Sequence, residues 1–238
     1  MKALSCYIRC ILMIGLMSIS SAYAVVPSHL VWAENLIKNI TPANNVYGTN
    51  PSYVYWANVN GARTYENRTQ CSPFVTHILK QAYSWTDNDF KTWFGSTNPS
   101  AAKYHDAIAA QNGFSLIQNI NDIRSGDIIA VKYLNGTTTG HVMIAKTRPV
   151  LYASTSPMVD GALQYTLKIM DSSKSGHGLL DTRLMTDGTW DTGAGIGTLR
   201  LYADKKGNLL GYTWSIAKNS VFYGQDSEHH LVVGRLVF

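Results

Sequence analysis

The spacing of apolar residues changes once along this chain, from a helical period before Gly126 to an extended period after it. The first part predicts helices at residues 28–40, 71–83 and 100–112. The second part predicts strands at residues 127–133, 141–146, 165–171, 196–204, 209–214 and 231–238. Helices followed by antiparallel strands are typical of α+β folds. We therefore predict N-terminal helices packed on an antiparallel sheet, with residues 42–68 forming a long ordered loop.

The first 24 residues have the pattern of an export signal. Lys2 and Arg9 supply a basic start, residues 11–17 are apolar, and residues 22–24 read Ala-Tyr-Ala, a typical cleavage site. The apolar run is too short to cross a bilayer, and no later run is long enough. We predict a signal peptide over residues 1–24 cleaved after Ala24, a single domain over residues 25–238 without an integral membrane segment, and a periplasmic or secreted location.

Charge and cysteine content narrow the function classes. The formal charge is +5, and removal of Lys2 and Arg9 leaves +3 without a basic stripe, so no nucleic-acid partner is predicted. Cys6 and Cys10 would leave with the signal, so Cys71 would be the lone thiol of the mature chain. A lone cysteine forms no internal disulfide in an oxidising compartment; it is either a reactive thiol or a small buried hydrophobe.

Cys71 lies where the second predicted helix begins. Pro73 fits a first helical turn, because the N–H that proline lacks has no intrahelical acceptor there. The unpaired N–H groups and the positive end of the helix dipole favour an anion at this position, which lowers a thiol pKa. The position of Cys71 at the helix start therefore favours a nucleophilic thiolate.

A thiolate that attacks an amide needs a base and a group that orients the base. His141 follows a glycine at the start of a predicted strand and is the leading base. Asp171 ends another predicted strand and is the leading orienting group, with Ser172, Ser173 and His177 as competitors. No pattern of metal ligands accompanies them, and the mechanism requires no metal or other cofactor.

Three short motifs resemble those of the papain-like cysteine peptidases and amidases of bacterial cell walls, of the NlpC and CHAP type. Residues 70–75 (Gln-Cys-Ser-Pro-Phe-Val) resemble the nucleophile motif Asp-Cys-Ser-Gly-Phe-Val. Residues 125–129 (Ser-Gly-Asp-Ile-Ile) resemble Pro-Gly-Asp-Leu-Val, and residues 140–144 (Gly-His-Val-Met-Ile) resemble Gly-His-Val-Gly-Ile. The three occur in the family's order and cover about residues 55–175.

The resemblance implies a papain-like fold and an exported hydrolase that cleaves amide bonds in peptidoglycan stem peptides or other peptides with Cys71 and His141. It also implies an upstream tyrosine near the substrate carbonyl, for which Tyr55 is the nearest match and Tyr65 its rival. Gln70, Ser172 and His177 are further candidates for contacts with substrate or oxyanion. Two alternatives stay open, a transglutaminase-like acyl transferase and an inactive wall-binding module, and the oligomeric state is left undetermined.

Overall fold

The computed structural model describes residues 26–48 and 50–237. The predicted signal peptide lies outside these residues. Four helices are present in them: α1 (Ser28–Asn39), α2 (Cys71–Tyr83), α3 (Asp87–Phe94) and α4 (Ala101–Ala109). None of these described helices has the length and apolar character needed to cross a membrane.

The strands form two sheets. Three short strands, β1 (Asn45–Tyr47), β2 (Tyr53–Tyr55) and β3 (Glu66–Thr69), make a small sheet in the order β1-β3-β2. The large sheet contains β4 (Phe114–Ile117), β5 (Ile128–Tyr133), β6 (Gly140–Ala145), β7 (Val150–Tyr152), β8 (Leu163–Ser173), β9 (Gly193–Ala203), β10 (Leu209–Thr213), β11 (Phe222–Gly224) and β12 (His229–Leu236). Its order is β11-β10-β9-β8-β6-β5-β12-β4, with β7 paired to β8. The protein is therefore α+β, as the change of period predicts.

The large sheet is antiparallel and curled. Strand β11, at one end of the order, returns to β12, and the ring of Tyr223 stacks on His229 with 4.2 Å between centroids. One face of the sheet packs on the helices, through buried side chains such as Phe74, Ile108 and Ile144. The opposite face encloses a second apolar cluster. Each fully buried large side chain contributes about 1.5–3 kcal/mol to this arrangement.

Residues 42–68 differ from the predicted loop, because they contain the small sheet. Its strands are three or four residues long and rich in polar side chains, so they show no alternating pattern. Their hydrogen bonds come from parallel pairing of β1 with β3 and antiparallel pairing of β2 with β3. Tertiary pairing stabilises these strands, and the small sheet lies against the strands that carry the candidate site.

Candidate active site

Cys71 is the first residue of α2, so its backbone N–H has no acceptor within the helix. Its side chain is 6 % exposed and packs at the edge of the helix-side core. Its Sγ lies 3.9 Å from the carbonyl oxygen of Gly140, and the thiol interacts electrostatically with the His141 side chain. The structure thus brings the helix start of α2 to the strand start of β6.

His141 is held by Asp171 through one ring nitrogen. Its Nε2 lies 2.6 Å from Oδ2 of Asp171, so Nδ1 is the nitrogen left to interact with the thiol. The glycine before it is required by space, because a Cβ on Gly140 would lie 1.9 Å from the Val131 carbonyl oxygen, and its φ is +130°. Gly140 therefore lets β6 begin close enough to its neighbour to direct the imidazole towards Cys71.

The charges of the two groups stabilise each other. Burial raises the pKa of the Cys71 thiol, but the positive charge of His141 and its hydrogen bond lower that pKa by more, so the net shift is downward. Burial lowers the pKa of His141, yet the Cys71 charge and the hydrogen bond to Asp171 raise it to about 10. Both directions favour the thiolate–imidazolium pair over the neutral thiol and imidazole.

Asp171 is fully buried on β8 and makes contacts on both carboxylate oxygens. Its Oδ2 accepts from His141 and lies 3.0 Å from Nε2 of His177. Arg183 Nη2 lies 2.9 Å from Oδ1, but outside hydrogen-bond geometry, so this contact is an ion pair and Oδ1 keeps unused acceptor capacity. Burial alone would raise the pKa of Asp171, but Arg183, His177 and the histidine hydrogen bonds hold it well below its ordinary value.

Three alternate glycines of β9 make room for the residues behind Asp171. A Cβ on Gly195 would lie 2.8 Å from Nε of Arg183, and a Cβ on Gly197 would lie 2.4 Å from the His177 ring. A Cβ on Gly193 would lie 2.3 Å from the side-chain oxygen of Asn45. The glycine-rich stretch 193–197 therefore serves the packing of this site. Its sequence has no dinucleotide-binding pattern.

The small sheet ties the nucleophile to the strand of Asp171. Ser172 Oγ donates to the carbonyl of Thr69 over 2.8 Å, two residues before Cys71. Thr69 Oγ1 donates to Asn67 over 2.6 Å, and Asn67 donates to Asn45 over 3.0 Å. Asn45 completes the connection by exchanging two 2.7 Å hydrogen bonds with the backbone of Ala194 on β9. These buried polar contacts hold Cys71 in a fixed position relative to β8 and β9.

The motif resemblance indicates Tyr55, but Tyr47 on β1 is a tyrosine that interacts with the Cys71 charge. Tyr55 is exposed, stacks on Tyr53 and pairs with Glu66, at the end of β3 remote from Cys71. Tyr47 pairs with Thr69 instead. Burial and then the negative charges of Cys71 and Asp171 raise the pKa of Tyr47 to about 12. It is therefore a protonated phenol beside the thiol.

The remaining predicted site residues are distributed around this centre. Gln70 is exposed at the N-cap of α2, next to the thiol in the chain. Ser172 and His177 are fully buried behind the triad, so neither is positioned for a direct contact with substrate. Ser173 Oγ donates to the carbonyl of Ser175 and shapes the turn after β8. Tyr65 packs against the helix-side core.

Two aromatic residues outside the sequence prediction lie near the site, Trp214 against the imidazoles and Tyr133 near the Cys71 charge. Trp214 stacks on His177 with 4.1 Å between centroids and meets His141 edge-on at 4.8 Å. Tyr133 is half-buried, and burial followed by the Cys71 charge raises its pKa to about 12. The sequence signal for both was only an aromatic residue at the end of a strand, which is also common in ordinary cores.

His141, Asp171 and His177 offer three metal-ligand atoms within 4.8 Å of one another. A tetrahedral zinc ion about 2.0–2.2 Å from each ligand would separate those atoms by about 3.3 Å. The observed contacts of 2.6 and 3.0 Å are shorter and fit direct hydrogen bonds, and the Arg183 guanidinium faces the other carboxylate oxygen. These residues therefore fit a hydrogen-bonded network better than a metal site.

Comparison with known proteins gives one informative match. No family model matches the chain, and no solved structure matches it. The chain is 33 % identical over 221 residues to the uncharacterized protein R653 of Acanthamoeba polyphaga mimivirus, and the match covers 88 % of this chain and 96 % of the viral protein. The protein with the buried Cys71–His141–Asp171 network therefore belongs to the same family as mimivirus protein R653.

Proposed function

We propose that this protein is a cysteine hydrolase that cleaves amide bonds with Cys71, His141 and Asp171. The observation that carries the proposal is the directed chain of contacts from thiol to carboxylate. The thiol interacts with His141, and Nε2 of His141 lies 2.6 Å from a fully buried, ionised Asp171. A nucleophile, a base and an orienting group in contact are the parts that acyl transfer requires.

The reaction follows from these positions. The Cys71 thiolate attacks the amide carbonyl carbon, and a carbon–sulfur bond forms as the carbonyl oxygen takes up negative charge. The tetrahedral intermediate collapses, and the carbon–nitrogen bond breaks as the leaving amine takes the proton from Nδ1 of His141. The neutral imidazole then accepts a proton from water, whose oxygen attacks the thioester. Acid is released, and the thiolate and imidazolium are restored.

Two donors are available for the oxyanion. The Cys71 backbone N–H is unpaired within α2 and lies at the positive end of the helix dipole. Tyr47 remains a phenol at neutral pH, because its pKa is raised to about 12. We assign to Tyr47 the part that the resemblance would give to the upstream tyrosine. Such donors act mainly in the transition state, where the negative charge develops.

We further propose a papain-like fold and peptide amides of peptidoglycan as the substrate class, acted on after export from the cell. Support for the fold is the geometry of a helix-start cysteine facing a strand-start histidine. Support for the substrate is the similarity of residues 70–75, 125–129 and 140–144 to wall-peptidase motifs. Support for export is the pattern of residues 1–24.

Incubation of the purified protein with peptidoglycan tests the proposal, with new amines and carboxylates identified by mass spectrometry. Hydrolysis by the wild type and none by Cys71→Ala is the expected result. Products from a folded Cys71→Ala protein would refute the assignment of the nucleophile. Addition of hydroxylamine distinguishes acyl transfer, since a transferase would yield mostly the hydroxamate, whereas binding without any product would indicate a wall-binding module.

A further inference from the structure

His177 is a fully buried histidine whose two ring nitrogens both face hydrogen-bond acceptors. Its Nδ1 lies 2.8 Å from the backbone carbonyl oxygen of Trp214, and its Nε2 lies 3.0 Å from Oδ2 of Asp171. A carbonyl oxygen cannot donate, so Nδ1 must carry a proton. A carboxylate that already accepts from His141 cannot donate either, so Nε2 must carry a proton as well. Only the doubly protonated ring satisfies both contacts.

The charges around His177 also require this state. Asp171 and Asp181 are two buried carboxylates, and Arg183 is shared between them: it makes a bidentate contact with Asp181 at 2.9 and 2.7 Å and an ion pair with Asp171. The thiolate of Cys71 and its imidazolium partner cancel each other. One further positive charge is needed to balance the second buried carboxylate, because an unpaired buried charge is costly.

The surroundings hold the His177 ring in one orientation. Its backbone N–H donates to Asp181 over 2.8 Å, and one face of the ring stacks on Trp214. On the β9 side, Gly197 leaves space that a single Cβ would fill, at 2.4 and 2.6 Å from ring atoms of His177. The ring therefore cannot swing away from Asp171 without displacing its neighbours.

We propose that His177, as an imidazolium, is the positioning residue that keeps Asp171 ionised and directed at His141. The inference rests on the proposed function, which supplies the reaction. Without the Nε2 proton, a ring lone pair would face Oδ2 across 3.0 Å, and the carboxylate would turn away or take up a proton. His141 would then lose the partner that orients it.

The groups that face His177 are accounted for on every element around it. Asp171 on β8 contacts Nε2 of His177, and the ring of His141 on β6 lies edge-on to the His177 ring. Asp181 and Arg183 lie on the same loop as His177, and Trp214 follows β10. Of these, Asp171 contacts Nε2 and the backbone carbonyl of Trp214 contacts Nδ1.

Two substitutions separate a positioning role from a purely structural one. In His177→Gln, the amide N–H₂ reaches the position of Nε2 and can donate to Asp171 at every pH, but the bond to Trp214 is lost. In His177→Asn, the shorter amide reaches the position of Nδ1 and can donate to the Trp214 carbonyl, but the contact with Asp171 is lost. We expect kcat and the alkylation rate of Cys71 by iodoacetamide to fall about 10- to 100-fold in His177→Asn. His177→Gln should retain about tenfold more of both.

The order of the two variants decides the proposal. It is refuted if the two variants are equally active or if His177→Asn is the more active one, which would indicate a structural role at Trp214 only.

A third measurement needs no substrate and therefore separates this inference from the proposed function. Nitrogen-15 NMR of histidine-labelled protein reports the proton on each ring nitrogen. We expect both nitrogens of His177 to be protonated at neutral pH in the wild type and in Cys71→Ala. An unprotonated Nε2 would overturn the inference about His177 even if hydrolysis is observed. Two protonated nitrogens in a protein without hydrolytic activity would support the protonation state of His177 and refute the proposed function.

Discussion

Replacing Asp171 with asparagine removes one charge from the centre of the network and leaves its shape nearly intact. The asparagine oxygen can keep both histidine contacts only if the amide N–H₂ group takes the place of Oδ1. Because Arg183 Nη2 lies 2.9 Å from Oδ1, two donors would then face each other. The opposite orientation points the N–H₂ group at Nε2 of His141. That nitrogen must then accept, so Nδ1 carries the only ring proton and cannot take one from the thiol. Both orientations remove the counter-ion of the imidazolium.

The size of the effect follows from the burial of the pair. Removing one partner of a buried ion pair costs about 3–5 kcal/mol, because the other charge is left unpaired. Arg183 keeps its bidentate contact with Asp181, and His177 can release its proton, so we expect a loss near the lower limit, about 3 kcal/mol. An imidazole held in the wrong tautomer lowers kcat by about 10³-fold or more.

Alkylation by iodoacetamide, followed as a function of pH, measures the thiolate directly. The wild type should react rapidly at neutral pH, whereas Asp171→Asn should react slowly there and recover only as the pH approaches the ordinary thiol pKa. Urea unfolding at pH 7 measures the stability loss, and Asp160→Asn, on an exposed loop, is the matched control. A folded Asp171→Asn protein with the wild-type alkylation rate at neutral pH would refute the reasoning.

Three further outcomes follow from the same contacts. Tyr47→Phe should lower kcat about 10- to 100-fold with little change in thiol alkylation, because it removes an oxyanion donor. The control Tyr55→Phe, on the same small sheet, should change kcat less than about twofold. Equal effects of the two substitutions in steady-state assays would contradict the assignment. Ser172→Ala removes the 2.8 Å bond to the Thr69 carbonyl and should cost about 1–2 kcal/mol in urea unfolding, and an unchanged midpoint would show that this bond does not hold the nucleophile in place. The pKa of His141, raised from 6.5 to about 10, contributes stability that is complete below pH 6.5 and is lost as the pH rises towards 10, whereas the lowered thiol pKa has the opposite slope up to its ordinary value of 9.0. The stability difference between wild type and His141→Ala should therefore fall most steeply between pH 9 and about 10, where only the contribution of His141 still changes; a difference that stays constant over this range would show that the network does not stabilise the imidazolium.

Helices α1, α2 and α4 and the long strands could be predicted because their signals are local, whereas α3 was not predicted. Periodicity and Pro73 located the start of α2 at Cys71, where the structure has it. The extended pattern located β6 and β8, and with them His141 and Asp171. The small sheet could not be predicted in the same way, because strands of three or four polar residues are stabilised by their partners and not by their own pattern.

The surroundings of the site could not be predicted from local sequence patterns, for the same reason. Tyr55 matched the expected position upstream of the cysteine, but parallel pairing of β1 with β3 brings Tyr47 beside Thr69 instead. Arg183 lies in a loop without periodicity, and its place behind Asp171 depends on the space above Gly195, a residue that pairs with Asp171 across β8 and β9.

The sequence by itself determined the fold class, the helix start at Cys71 and the strands that carry His141 and Asp171, since each depends on residues within a few positions of one another. The tertiary structure alone decided that these three groups meet and that Asp171 is shared with His177. It also decided that Arg183 and Trp214 enclose the network. The reason is physical: a buried charge is tolerated only where distant segments supply its partners, and pairing of β8 with β9 and curling of the sheet bring those segments together.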